Sequence, residues 1–460
     1  MRKQQTALIA GVVASFLVPF MMSAVGIVLP AIQQELPTSA EKLSWVAGSY
    51  ILSLAAILLP VGRLADIMGR RRIFVWGSAM FMIFSLCASL AWSIESLVAV
   101  RVLQGVGAAM ILSTAVAIVV ASVRPEERGW AMGWLVASVY IGLAIGPLLG
   151  GFVTNMIGWR AVFFLCIPPG LTAWLLAVRI SDEWQPARGE AMDLWGSLWY
   201  GIFVLTCVGG LTRLNRPATG LPLLGLALAS GVAFAWRSRH TTSPLIDLSL
   251  FTKNRIFLVS NIATMINYSG TFAVGFLLSL YLQVAKGFSP MHAGLILIIQ
   301  PVVQSALSPV AGVLADKCNP AWLANTGMAV CAVGLWGFGF VGQHTPLWVV
   351  GGLLAFMGLG FALFASPNMT VIMDSVAPKD YSIASSIVAT MRTFGMSLCM
   401  GLIAAVFAMV MADQPIAPET VPEFLRGMRR IFEVCVVLCG TAVVISLGRV
   451  GKRRQLEEEA

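Results

Sequence analysis

The chain has 460 residues, of which 58% are hydrophobic and 11% charged, with a formal net charge of +9. A soluble domain carries about 25% charged residues, so this composition excludes one. The basic excess lies in short stretches between apolar runs, which argues against a nucleic-acid partner. Strand alternation of the outer-membrane barrel kind is absent. The eight cysteines show no CxxC and no Cys/His metal spacing, so neither a metal nor a cofactor is expected.

The apolar runs are about 18–25 residues long, the length that crosses a bilayer as helix. In chain order they predict spans at 7–30, 43–63, 73–92, 97–121, 131–153 and 160–180. Two follow at 194–212 and 221–237, where Gly and Pro interrupt the pattern. Six more fall at 257–282, 292–314, 321–342, 346–368, 383–411 and 430–448. The first run is too long for a signal-peptide core and reads as a retained span. The fold class is thus an all-α polytopic membrane protein with fourteen spans and both termini on one face. Of the 30 lysines and arginines, 20 fall on that face and eight on the other. The positive-inside rule places the termini in the cytoplasm.

The predicted loop after the second span reads GRLADIMGRRRIF, a knot of charge between apolar runs. Its start, Gly62-Arg63-Leu64-Ala65-Asp66, returns as Gly312-Val313-Leu314-Ala315-Asp316. A second echo pairs SVRPEERG at Ser122 with SVAPKDYS at Ser375, matching Glu127 to Asp380 in charge. Two echoes at nearly one offset indicate a duplicated six-span unit. The expected organisation is 1–185 as one six-helix bundle, 186–245 as two inserted helices and 246–460 as a second bundle. Such repeats, with a site near the bilayer midplane, are the layout of secondary transporters.

Three motifs carry a resemblance to a known family. One is the knot itself, with Gly62, Leu64, Asp66, Gly69, Arg70 and Arg71. Another is LVAVRVLQGVGAA in the fourth span, with Arg101, Gln104 and Gly105. The third is GLAIGPLLGG in the fifth, with Gly142, Gly146, Pro147, Gly150 and Gly151. Together they resemble the major facilitator superfamily in its fourteen-span drug:proton antiporter branch. The resemblance covers nearly the whole chain and implies an exporter of the bacterial inner membrane, working on small-molecule substrates among membrane lipids. It implies protons as the coupling ion and leaves room for an adaptor protein.

The resemblance also assigns roles. Gly62, Asp66, Gly69 and Arg70, with Asp316 as their counterpart, would form a latch on the cytoplasmic gate, Gly62 admitting a neighbouring helix. Arg101 and Arg392 are charges inside spans, costly unless they face protein or water. Arg101 would serve a proton relay or charge the cavity, though a position about four residues into its span also suits a snorkelling anchor. Gln104 shares its face. The glycines of the fifth span would give close packing and Pro147 a bend. Asn261, Asn267, Tyr268, Gln300 and Gln304 are polar groups in apolar helices, expected to line the cavity or to bond between helices.

The first span departs from the branch. Relatives carry an aspartate and a threonine where this chain has Met21 and Ser23. Met21 cannot titrate, and the candidate proton sources are Glu433, Asp374 or a proton released by the substrate. A midplane with two arginines and no carboxylate should favour anionic, zwitterionic or neutral substrates. Uncoupled transport is one alternative function. A receptor or enzyme is another, which the short loops and three scattered histidines argue against.

Overall fold

The computed structural model describes residues 3–124, 128–241, 243–246, 248–376, 381–411 and 414–458. The echo residues Glu127 and Asp380 lie outside them, as does the side chain of Asp316. Among the described residues, fourteen helices are long and apolar enough to cross a membrane.

The first half holds α1 (Lys3–Glu35), α2 (Ala40–Met68), α3 (Arg70–Ser89), α4 (Ile94–Ser122) and α5 (Arg128–Met156), then the pair α6 (Trp159–Phe164) and α7 (Ile167–Val178). Gly69 separates α2 from α3 at φ +118°, in the region that favours glycine. An added Cβ there would also lie 2.5 Å from the Glu183 carboxylate, which accepts the Arg71 backbone N–H at 2.9 Å. Ser93 and Ser96 form a reciprocal capping box that starts α4 at Ile94, three residues before the expected start. The predicted span 160–180 is broken between α6 and α7, because Pro168 and Pro169 cannot donate to the preceding turn.

Two helices follow, α8 (Leu194–Thr212) and α9 (Pro217–His240). Asp193 caps α8 through the Gly196 N–H at 3.0 Å and accepts Arg237 Nε of α9 at 3.1 Å. This ties the hairpin together at one end. α8 packs against both α2 and α16 (Tyr381–Val410). There the Tyr200 hydroxyl donates to the Ala55 carbonyl at 2.9 Å, and the Phe203 and Phe394 rings lie 5.6 Å apart.

The second half opens with the short α10 (Ser249–Lys253) and α11 (Arg255–Leu280), which ends in a π turn over Tyr281–Ala285. A broken span follows as α12 (Pro290–Leu297) and α13 (Ile299–Lys317). Pro301 lacks the N–H that would bond to Leu297, and the helix yields there. α14 (Pro320–Phe338), α15 (Leu347–Asp374), α16 and α17 (Val421–Glu458) complete it. α17 begins nine residues before the expected 430, so Arg426, Arg429 and Arg430 lie on its first turns rather than in a loop. Exposed tryptophans flank the spans at both ends: Trp130, Trp195, Trp236 and Trp322 toward the Asp66 face, Trp92 and Trp348 toward the other. Such belts suit the interfacial zones of a bilayer.

Candidate functional site

A cavity of about 1970 Å³ lies between the two halves. Its walls come from α1, α2, α4, α5, α11, α13, α15 and α16. It reaches the Asp66 face, where Arg63, Asp66, Arg70, Glu190 and Asp374 form its rim. Arg70 Nε donates to Asp66 at 2.8 Å within one helical turn interval, and Arg63 donates to Glu190 at 2.5 Å. The Arg63 guanidinium holds the exposed Glu190 carboxyl below the usual range, first through its hydrogen bond and then through its charge.

The other end is closed by contacts between halves. Ser279 Oγ donates to the Gly26 carbonyl at 2.7 Å and Gln283 Nε2 to the Ile27 carbonyl at 2.9 Å, joining α11 and its π turn to α1. The Ala40 N–H of α2 bonds to the Gln414 carbonyl at 3.2 Å. Where α5 meets α12, a Cβ at Gly151 would strike the Pro290 carbonyl, and one at Gly294 would strike the Pro147 carbonyl. These are glycines that a close helix crossing requires.

The glycines of the fifth span therefore divide between two contacts. Gly142, Gly146 and Gly150 face α1 inside the first half, against Phe16, Ser23 and Ala24. Gly151 alone meets the opposite half, and Pro147 lines the cavity. Gly62 differs from expectation. Its missing Cβ would meet only Ser113 Cβ, at 3.8 Å, so it opens the cavity wall rather than admitting a helix.

Arg101 is a correction as well. It lies seven residues after Ile94 and is 1% exposed. Its Nε donates to the Val46 carbonyl at 3.0 Å and its Nη1 to Gln104 Oε1 at 2.5 Å. Gln104 Nε2 donates in turn to Ser85 Oγ at 2.7 Å. The Tyr50 ring lies 4.1 Å from the guanidinium carbon. Neither Arg101 nor Gln104 lines the cavity. The guanidinium is neither a snorkelling anchor nor a cavity charge, because neighbouring helices supply it with partners inside the first bundle.

Met21, Asn261 and Asn267 also face away from the cavity. Met21 is fully buried and its neighbours Met22 and Ser23 face the cavity instead. Asn261 Nδ2 bonds to the Phe257 carbonyl on its own helix at 2.9 Å. Glu433 lies near the closed end on α17, accepting Arg429 at 3.0 Å and Arg430 at 3.3 Å, outside the cavity.

Tyr268, Gln300, Gln304 and Arg392 do line it. Arg392 stands eleven residues after the start of α16, roughly 16 Å along the helix at about 1.5 Å per residue. Its guanidinium lies 5.6 Å from the Tyr268 ring centre. Tyr140 of α5 reaches the same place, beside Gln304 and Arg392. The sequence reading missed it. The signal was available, since it is the one tyrosine in the fifth span and lies seven residues before Pro147, on the same face. Among the described residues, the lining carboxylates Asp66, Glu190 and Asp374 all belong to the rim.

The Major Facilitator Superfamily model matches residues 11–258 and 261–457. The riboflavin transporter RibZ of Clostridioides difficile is 30% identical over 392 residues, covering 84% of this chain and 84% of that one. The multidrug resistance protein Stp of Mycobacterium tuberculosis is 28% identical, covering 88% of this chain and 76% of its own. A solved peptide transporter in complex with alafosfalin superposes with a TM-score of 0.71 at 13% identity, over 98% of this chain and 99% of that one. That likeness concerns the fold.

Proposed function

The chain belongs to the Major Facilitator Superfamily, and from that premise we propose that this secondary transporter exports small amphipathic compounds by alternating access. The observation that carries the reading is the cavity between halves, open at one face and closed at the other. With the basic face in the cytoplasm, this is the state in which an exporter loads. The walls mix apolar side chains with few polar groups, as a site for amphipathic molecules requires. The relatives' roles, multidrug resistance and riboflavin transport, agree with small-molecule cargo.

Alternating access gives each motif a task. The α5–α12 crossing at Gly151 and Gly294 seals the outer face while cargo loads. The Asp66–Arg70 pair stands at the open rim, positioned to latch when the rim closes. Protons are the exchanged ion on this reading, and the carboxylates that line the cavity among the described residues, Asp66, Glu190 and Asp374, all stand at its rim.

Vesicles of the inner membrane test direction. Inside-out vesicles carrying the chain should take up at least one of fluorescein, riboflavin and rhodamine 123, and right-side-out vesicles should not. Gly151→Val should reduce that uptake by roughly five- to hundredfold, because overpacking the crossing costs about 1–3 kcal/mol. Uptake only by right-side-out vesicles would reverse the reading, and uptake of none would remove it.

A further inference from the structure

On the export reading, we propose that the middle of the cavity is a built site for a planar organic anion, with Arg392 as its charge-recognising residue. Arg392 lines the cavity near mid-helix and pairs with no carboxylate among the described residues. An arginine at such depth is costly and marks a functional pathway or ligand site. A carboxylate or enolate from the cargo would supply the missing counter-charge, and the guanidinium fork binds such groups in a bidentate fashion.

Polar groups share the cavity wall with it. Gln304 is 5% exposed and lines the cavity beside Tyr140. Thr271 lines the same cavity. The Tyr268 ring lies beside the guanidinium and is itself held edge-on by Phe361 at 4.9 Å. This pre-sets the Arg392 plane by cation–π contact and offers an aromatic face for a flat ligand. Tyr140 comes from the first half, whereas Arg392, Tyr268, Thr271 and Gln304 come from the second. A ligand held by both halves is thereby tied to their relative movement.

The test uses the full chain in inside-out vesicles and three flat dyes: fluorescein, anionic at neutral pH; riboflavin, neutral; and rhodamine 123, cationic. Wild-type KM should be about tenfold lower for fluorescein than for rhodamine 123. Arg392→Gln should cut the fluorescein-to-riboflavin preference by about tenfold, as loss of a charge-assisted hydrogen bond does. Arg392→Lys should recover part of it, and Gln304→Leu should weaken fluorescein uptake by roughly threefold or more. A wild-type preference for rhodamine 123 would overturn the charge assignment while leaving export intact. Equal losses for all three dyes in Arg392→Gln would do the same. Uptake of no dye would remove the export reading on which the site rests.

Discussion

Arg101 and Arg392 are both arginines set inside membrane spans, and their surroundings could hardly differ more. Arg101 is enclosed in the first bundle with a carbonyl, a carboxamide oxygen and an aromatic ring already in place. Arg392 faces the cavity with a ring beside it and no ion-pair partner among the described residues. A buried charge whose partners are all supplied by the protein stabilises one arrangement of helices. One whose partner set is incomplete leaves room for a ligand. Residue type and depth do not separate these cases; the neighbours contributed by other helices do.

The largest effect expected from breaking this contrast is on stability. Arg101→Gln should lower unfolding stability by about 2–3 kcal/mol, since two hydrogen bonds to a charged group are lost in a buried site. Thermal unfolding in detergent would register it. A smaller loss, about 1–2 kcal/mol, should follow Gln104→Leu, which strips an acceptor from Arg101 and a donor from Ser85. If either variant unfolds like wild type, the enclosed network contributes little.

Arg392→Gln sharpens the contrast from the other side. Its stability should change by less than about 1 kcal/mol, because no acceptor among the described residues loses its donor, while selectivity among the dyes changes as described above. The smallest effect belongs to the rim. Glu190 has a lowered pKa in the folded chain, so its pair with Arg63 contributes above the ordinary glutamate value of about 4.3. That contribution fades as pH falls through the lower folded value. Unfolding profiles of wild type and Glu190→Gln should therefore run parallel from about pH 6 to 8 and converge only in acid. Divergence near neutrality would show that another group dominates the rim.

Much of the fold was legible in the sequence. Apolar runs of bilayer length count the spans directly, and the glycine pattern in the fifth marks a helix packed closely on others. What the sequence could not show was which way each helix faces. α1 is apolar around its whole circumference, so nothing local told that Met21 points inward to the bundle and Met22 to the cavity. Gly62 and Gly151 illustrate the same limit, since only the neighbouring helix distinguishes a wall from a crossing. The start of α4 was misplaced because a serine capping box, rather than the first long apolar run, begins it. That shift buried Arg101 deeper than its distance from the expected end suggested. Tyr140 went unnoticed because its meaning depends on Gln304 and Arg392, which are distant in sequence.

The most direct measurement compares the two arginines in one experiment: thermal unfolding of Arg101→Gln and Arg392→Gln, each with and without saturating fluorescein. The account predicts that Arg101→Gln melts early but is still stabilised by the dye. It predicts that Arg392→Gln melts like wild type and is stabilised less by the dye, by about 1.4 kcal/mol for a tenfold loss of affinity. The opposite pattern, with the dye effect undiminished in Arg392→Gln and vanishing in Arg101→Gln, would contradict it.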